Sequence, residues 1–283
     1  MKILVTGGAG FIGTNLIKLL LSEGHDVVSI DNYSTGYKHN HQDGAQYIEF
    51  DIRKIYDYSA WGDFDMVYHL AALARIQPSF KNPIETFEVN TNGTLLIAQY
   101  CTKNNIPLVY AGSSSHHSGK FKNPYTFSKD IGEEIIQLFQ HHYGLKASIT
   151  RFYNVYGPHH LKEGAYCTVI GKWETAYENK LPLTIYGNGT KRRDFTHVED
   201  IVNALKLILD KQAWDYIFEL GKGTNYSIKE IADLYNTEIV YEENKIGEAQ
   251  MTLCIDKLAK NVLGWEPKLE IKNYIKNYLN ENR

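Results

Sequence analysis

Short apolar runs, each closed by glycine or polar turn residues and separated by stretches with helical spacing, constrain this chain more than any other feature. KILVTG (2–7), HDVVSID (25–31), AQYIEFD (45–51), FDMVYHLAA (64–72) and IPLVYAGSS (106–114) are apolar over strand length rather than alternating. Strands covered on both faces read this way, and such strands belong to parallel sheets. Helical patterns lie between them, at 11–21 and 83–104, and a helix over 125–143 followed by KASITRF (146–152) continues the rhythm. Strand, helix, strand in sequence predicts an α/β chain with a doubly wound parallel sheet and right-handed crossovers. After Gly157-Pro158 the rhythm changes. LPLTIYGNG (181–189) reads as a strand and turn, KRRDFTHVEDIVNALKLIL (191–209) runs into a helix, DYIFELG (215–221) is a further strand, and the tail mixes short elements. This predicts a sheet domain over 1–155 plus about 196–221, and a smaller mixed α/β lobe over about 156–195 plus 222–283.

Bulk properties exclude several classes. A chain of 283 residues, 43% apolar and 22% charged, can bury a sizeable core, and a net charge of −3 gives no footprint for nucleic acid or an anionic membrane. Cys101, Cys167 and Cys254 are too few and too scattered for a disulfide framework or a zinc site, and no metal is expected. The start, MKILVTGGAG, lacks the apolar core of a signal peptide, and no run reaches membrane-spanning length. The expectation is a protein of the reducing cytoplasm.

Gly7-Gly8-Ala9-Gly10-Phe11-Ile12-Gly13 stands between the first strand and the first helix. Glycines there let backbone approach a pyrophosphate, and a helix N-terminus favours its charge. Asp31 closes the second strand, where an acid can accept hydrogen bonds from both ribose hydroxyls and repel a 2′-phosphate; no Arg or Lys follows until Lys38. NAD is therefore favoured over NADP. Asp51-Ile52, after the third strand, could hold the adenine edge, although Asp51 could equally cap the turn before Arg53. Tyr125 and Lys129, four apart after Pro124, share one helix face. An ammonium beside a phenol, together with a nicotinamide cation, lowers its pKa toward the range of a general base. The serines 113–115, at the end of a strand on the ligand side of such a sheet, give that pair its context.

TGGAGFIG, Asp31, HLAA (69–72), NTNGT (90–94), the serines before Gly119, Tyr125 with Lys129, RFYNVYGP (151–158), LTIYGNG and RRDFTHVEDI occur in order over nearly the whole chain. Together they resemble the extended short-chain dehydrogenase/reductases, specifically the NAD-dependent nucleotide-sugar epimerases and dehydratases, most like the UDP-galactose type of 4-epimerase. The resemblance implies a Rossmann-type domain with a nucleotide-sugar-binding lobe. It implies Ser114, five residues before Gly119, as the hydroxyl that works with Tyr125 and Lys129. It places Gly7, Gly10, Phe11, Ile12, Gly13, Asp31, Asn32, Asp51, Ile52, Leu70, Ala71, Ala72, Asn90 and Tyr153 at the cofactor along with Tyr125 and Lys129. It places His116, Asn154, Val169, Thr184, Ile185, Tyr186, Arg193, Lys245 and Glu248 at the substrate. It also implies a homodimer through the helices near 83–104 and 125–143.

The 4,6-dehydratases and decarboxylases of that family carry acids just after the catalytic Ser or Thr, where this chain has Ser115-His116-His117. Simple 4-epimerisation needs the least: Tyr125 removes the O4 proton, C4 is oxidised, the ketone turns over and is reduced from its other face. The expected reaction is inversion at C4 of a UDP-hexose or UDP-N-acetylhexosamine. Other nucleotide-sugar modifications and a non-catalytic NAD-binding module are the alternatives. Departures from the pattern are His117-Ser118 in place of Val-Tyr, the six-residue step from Gly119 to Tyr125, and Lys245 in place of an arginine.

Overall fold

The computed structural model describes residues 1–54 and 63–282. Its first half runs β1 (Lys2–Thr6), α1 (Phe11–Ser22), β2 (Asp26–Asp31), β3 (Gln46–Glu49), β4 (Met66–His69), α2 (Ile76–Lys81), α3 (Pro83–Phe87), α4 (Thr94–Lys103), β5 (Leu108–Ser113), α5 (Pro124–Tyr143) and β6 (Ala147–Phe152). The second half runs β7 (Val155–Tyr156), α6 (Val169–Glu178), β8 (Leu183–Tyr186), β9 (Arg192–Asp194), β10 (Thr196–His197), α7 (Val198–Asp210), β11 (Ile217–Leu220), β12 (Asn225–Ser227), α8 (Ile228–Ala232), β13 (Ile239–Glu242) and α9 (Ile271–Glu281).

Seven strands form one parallel sheet in the order β11-β6-β5-β4-β1-β2-β3. The strand order reverses between β1 and β4, which opens a crevice at their carboxyl ends, where ligands of such sheets bind. Both faces are covered, as the apolar runs require. One core packs α1 and α7 on the sheet through Leu16, Ile17, Leu20, Ile201, Leu205 and Ile208; the other packs α4 and α5 through Ile97, Ala98, Cys101 and Ile136. A third core, around Trp173, Ile185, Phe195, Tyr235 and Ile275, holds the short strand pairs β8·β13, β9·β12 and β7·β10 in the second half.

The helical pattern over 83–104 is not one regular helix. A π-helical stretch over Glu88–Gly93 separates α3 from α4. Asn90, in that stretch, is buried; its Oδ1 accepts from the Leu73 amide (2.8 Å), and its Nδ2 donates to Leu73 O (3.1 Å) and Ser128 Oγ (3.0 Å). It fastens the segment after β4 to α5. Asp194 does similar work in the second half: its buried carboxylate accepts amides of Lys222, Gly223 and Cys254 (2.8–3.0 Å), which pins two loops to β9.

Candidate active site

A cavity of about 640 Å3 runs along the carboxyl ends of β1, β2, β4 and β5 and on between the sheet and the second half. At one end it is walled by the glycine turn. Gly7 has φ +73°, and a Cβ there would lie 2.8 Å from Ala71 backbone; a Cβ on Gly13 would lie 2.3 Å from the Gly7 carbonyl. Only glycine permits this closeness of turn, helix and the Leu70–Ala72 segment. The N-cap of α1 is Gly10, no side chain caps the helix, and its first turn carries no acid, so its leading amides remain available to an anion. Asp31 is buried at the wall and accepts Ala9 N (3.0 Å) and Tyr33 N (2.8 Å). Burial raises its pKa, and the two amides oppose the rise. Lys38, the nearest following cation, pairs with Glu49 and does not line the cavity. These features fit a dinucleotide with unmodified ribose hydroxyls. Asn32, Asp51 and Ile52 line the same end, with Asp51 bound to Arg53 (2.6 Å) and its carboxyl held at about 2 by that guanidinium.

At mid-cavity the reacting groups meet. Asn123 caps α5, its side chain accepting Thr126 N (2.7 Å), and Pro124 takes the first helical position. This puts Tyr125 and Lys129 one turn apart on the cavity wall. Burial raises the Tyr125 pKa, while a hydrogen bond from the Ser113 hydroxyl and the Arg75 charge pull it down. Lys129 is 3% exposed, with its Nζ 4.1 Å from the centre of the Tyr110 ring. Burial lowers its pKa to about 7, against the charge of Glu133. Arg75 and Lys129 both line the cavity with the phenol, and the Arg75 charge favours its ionised form.

Ser113, Ser114 and Ser115 all line the cavity with Tyr125; the Ser113 hydroxyl helps to lower the pKa of the phenol and meets Ser115 Oγ (2.9 Å). Here β5 ends at Ser113 and a 3-10 turn over Ser114–Ser118 follows at once.

Three expected contacts lie elsewhere. His116 Nδ1 faces Asp130 (3.0 Å) in a separate shallow depression with Lys120, Glu134 and Arg151. Tyr153 is buried and donates to Glu219 Oε2 (2.9 Å), and Asn90 serves the packing role described above. None of the three lines the cavity. For both His116 and Tyr153 a carboxylate distant in sequence captures the polar end.

The far end is built by the second half. Val169, Thr184, Ile185 and Tyr186 line it, and Trp173 Nε1 donates to Thr184 O (3.0 Å) to fix that wall. Lys191 Nζ binds Glu248 (2.8 Å), Arg193 stands 3.7 Å from the same carboxylate, and Lys245 lies over the Tyr186 ring. Burial lowers the pKa of Arg193 and of Lys245. Asn154 also lines the cavity, but its amide nitrogen is occupied by Asp194 O (3.0 Å) and Thr252 Oγ1 (2.8 Å). The donor expected to meet a phosphate is therefore already engaged.

Residues 3–221 match the model of the NAD dependent epimerase/dehydratase family. The chain belongs to that family. It is 31% identical over 300 residues to a Methanocaldococcus jannaschii protein provisionally named UDP-glucose 4-epimerase, covering 98% of this chain and 97% of that one. It is 30% identical over 310 residues to the UDP-glucuronate 4-epimerase of Thermodesulfobacterium geofontis, covering 98% and 94%. Among solved structures, the UDP-glucose 4-epimerase of Thermotoga maritima with UDP-glucose superposes with a TM-score of 0.93 at 27% identity, covering 99% of this chain and 98% of that one.

Sequence reasoning did not single out Arg75 or Lys191 among the wall residues, and it ranked Ser113 behind Ser114. Arg75 had a visible signal: it is the lone charge in the run LAALARI, directly after residues already assigned to the cofactor.

Proposed function

We propose that this protein is an NAD-dependent 4-epimerase of a UDP-linked six-carbon sugar. The carrying observation is the placing of Tyr125, Ser113 and Lys129 between an uncapped glycine cradle and a basic far end. Three carboxylates line the cavity among the described residues: Asp31 and Asp51 at the cofactor end, and Glu248 paired to Lys191. None stands beside Tyr125 to move protons at C5 or C6, as dehydration would require.

NAD, when bound, supplies an acceptor that takes the C4 hydride and gives it back. The chain's residues do the rest. Gly7, Gly10 and Gly13 hold the pyrophosphate of the cofactor, and Asp31 holds its adenosine ribose. Tyr125 takes the proton from the C4 hydroxyl and later returns it, with the Ser113 hydroxyl as hydrogen-bond partner and Ser114 beside it. Lys191, Arg193 and Lys245 meet the substrate's phosphates, and Thr184 to Tyr186 flank its base. Incubation with UDP-, GDP-, CDP- and dTDP-sugars, with NMR of the products, tests this. Inversion at C4 of a UDP-sugar is expected; a 6-deoxy product or decarboxylation would reject it.

Ile84, Leu95 and Leu138 are exposed on α3, α4 and α5, which supports a homodimer through those helices; a monomer by sedimentation would count against it. No helix among the described residues is long and apolar enough to cross a membrane. Three buried, unpaired cysteines support a reducing cytoplasm, which recovery of the protein outside the cytosolic fraction would contradict.

A further inference from the structure

We propose that Arg75 forms a subsite for an anionic group on the sugar, so that the preferred substrate is a UDP-linked hexuronic acid with a carboxylate at C6. This rests on the epimerase reading and names the class of sugar within it.

Of the described arginines, Arg53, Arg151, Arg192 and Arg193 each face a carboxylate, at Asp51, Glu133, Glu230 and Glu248. Arg75 has no carboxylate partner among the described residues. It lines the cavity just before α2, with Nη1 donating to Ala74 O (2.8 Å) and Nε to Cys167 O (3.3 Å). Two backbone carbonyls fix the guanidinium along one side, and Nη2 has no hydrogen-bond partner among the described residues. The groups that act on it electrostatically are Tyr125, Cys167 and Tyr166, all uncharged at neutral pH; burial lowers its pKa for want of a counter-charge.

A half-buried guanidinium that faces no anion carries a charge only partly compensated. Its position says what would complete the compensation. It acts on the phenol of Tyr125, which works at C4. C6 is carried by C5, the neighbour of C4, so a cation beside the phenol is within reach of the C6 substituent. The pyrophosphate has its own cations, since Lys191 and Arg193 converge on Glu248, and Lys245 sits with Tyr186. A C6 carboxylate could accept charge-assisted hydrogen bonds from the guanidinium. A neutral hydroxymethyl group would leave the charge unbalanced.

The test is calorimetric titration of the NAD-loaded protein with UDP-glucuronate and with UDP-glucose, alongside NMR assays of C4 inversion on both. UDP-glucuronate should bind about ten-fold tighter or more. Arg75→Gln should erase that binding preference while the affinity for UDP-glucose changes little, with turnover of both sugars falling because the charge acting on Tyr125 is gone, and Arg75→Lys should keep part of the preference. Should the Gln variant fail to fold, the wild-type preference and its reduction in the Lys variant still decide. Equal binding of both sugars by the wild type would overturn the proposal. So would an equal loss of affinity for both in Arg75→Gln, which would assign the charge to the pyrophosphate or to the phenol alone. A binding preference that depends on Arg75, with turnover of neither sugar, would support the subsite and reject the epimerase reading.

Discussion

Arg151 lies in β6 beneath the active site, and its removal should be the most damaging single change outside the cavity. Its guanidinium contacts both carboxylate oxygens of Glu133 (2.6–3.1 Å) and Glu219 Oε1 (2.9 Å). Glu219 also takes the Tyr153 hydroxyl (2.9 Å) and His117 Nε2 (2.8 Å). The three charged side chains are 5–10% exposed. Burial works against the Arg151 charge, but the hydrogen bonds and charges of the two acids hold its pKa above the ordinary arginine value. Arg151→Met would leave Glu133 and Glu219 buried with their main cation gone. Breaking a buried pair in this way costs about 3–5 kcal/mol, which corresponds to a fall of roughly 6–20 °C in melting temperature for a domain of this size. Adding Glu133→Gln to Arg151→Met removes one of the stranded charges and should recover roughly 1–3 kcal/mol of that loss. Thermal unfolding followed by circular dichroism on wild type, both single variants and the double variant gives the cycle. A loss below about 1 kcal/mol in Arg151→Met, or a double variant worse than the sum of the singles, would refute this account of the network.

Gly13→Ala should strip the protein of NAD, because the added Cβ meets the Gly7 carbonyl at 2.3 Å, and backbone cannot swing aside. The misfit should also cost about 1–3 kcal/mol of stability; stoichiometric nucleotide in the purified variant, with unchanged melting, would contradict this. Lys129 gives a pH signature. Its folded pKa of about 7 lies below the ordinary lysine value of about 10.4. Between those values the unfolded chain binds a proton that the folded chain lacks, so this lysine makes stability rise with pH across the window. Lys129→Met removes that dependence: its melting gain over wild type, both free of NAD, should be greatest near or below pH 7 and shrink toward pH 10. An offset that stays constant across that range would contradict it.

The sheet was legible because burial on both faces writes itself into sequence as continuous apolar runs. All seven runs assigned as strands of the central sheet or its extensions, from KILVTG to DYIFELG, contain a strand of it. The glycine turn was legible for a steric reason, since Gly7 and Gly13 sit where a Cβ would strike backbone. The helix that presents Tyr125 was legible through Pro124 at its first position. What failed depended on partners distant in sequence or on local backbone form. His116 is drawn to Asp130 of α5, and Tyr153 to Glu219, which comes from β11. The π-helical stretch at Glu88–Gly93 has no periodic signature, yet it is where Asn90 turns inward to Leu73 and Ser128. Which of the clustered serines works with the phenol was not legible, because Ser113, Ser114 and Ser115 all reach the cavity wall where β5 passes into a 3-10 turn.

The central claim is that the phenol of Tyr125 exchanges the proton on the sugar's C4 hydroxyl beside a bound nicotinamide. Turnover of UDP-sugar by Tyr125→Phe, with NAD content measured on the same sample, tests it most directly. Full NAD occupancy with turnover reduced by about 10²–10⁴-fold is the expected result. Turnover within a few-fold of wild type, with NAD equally bound, would contradict it.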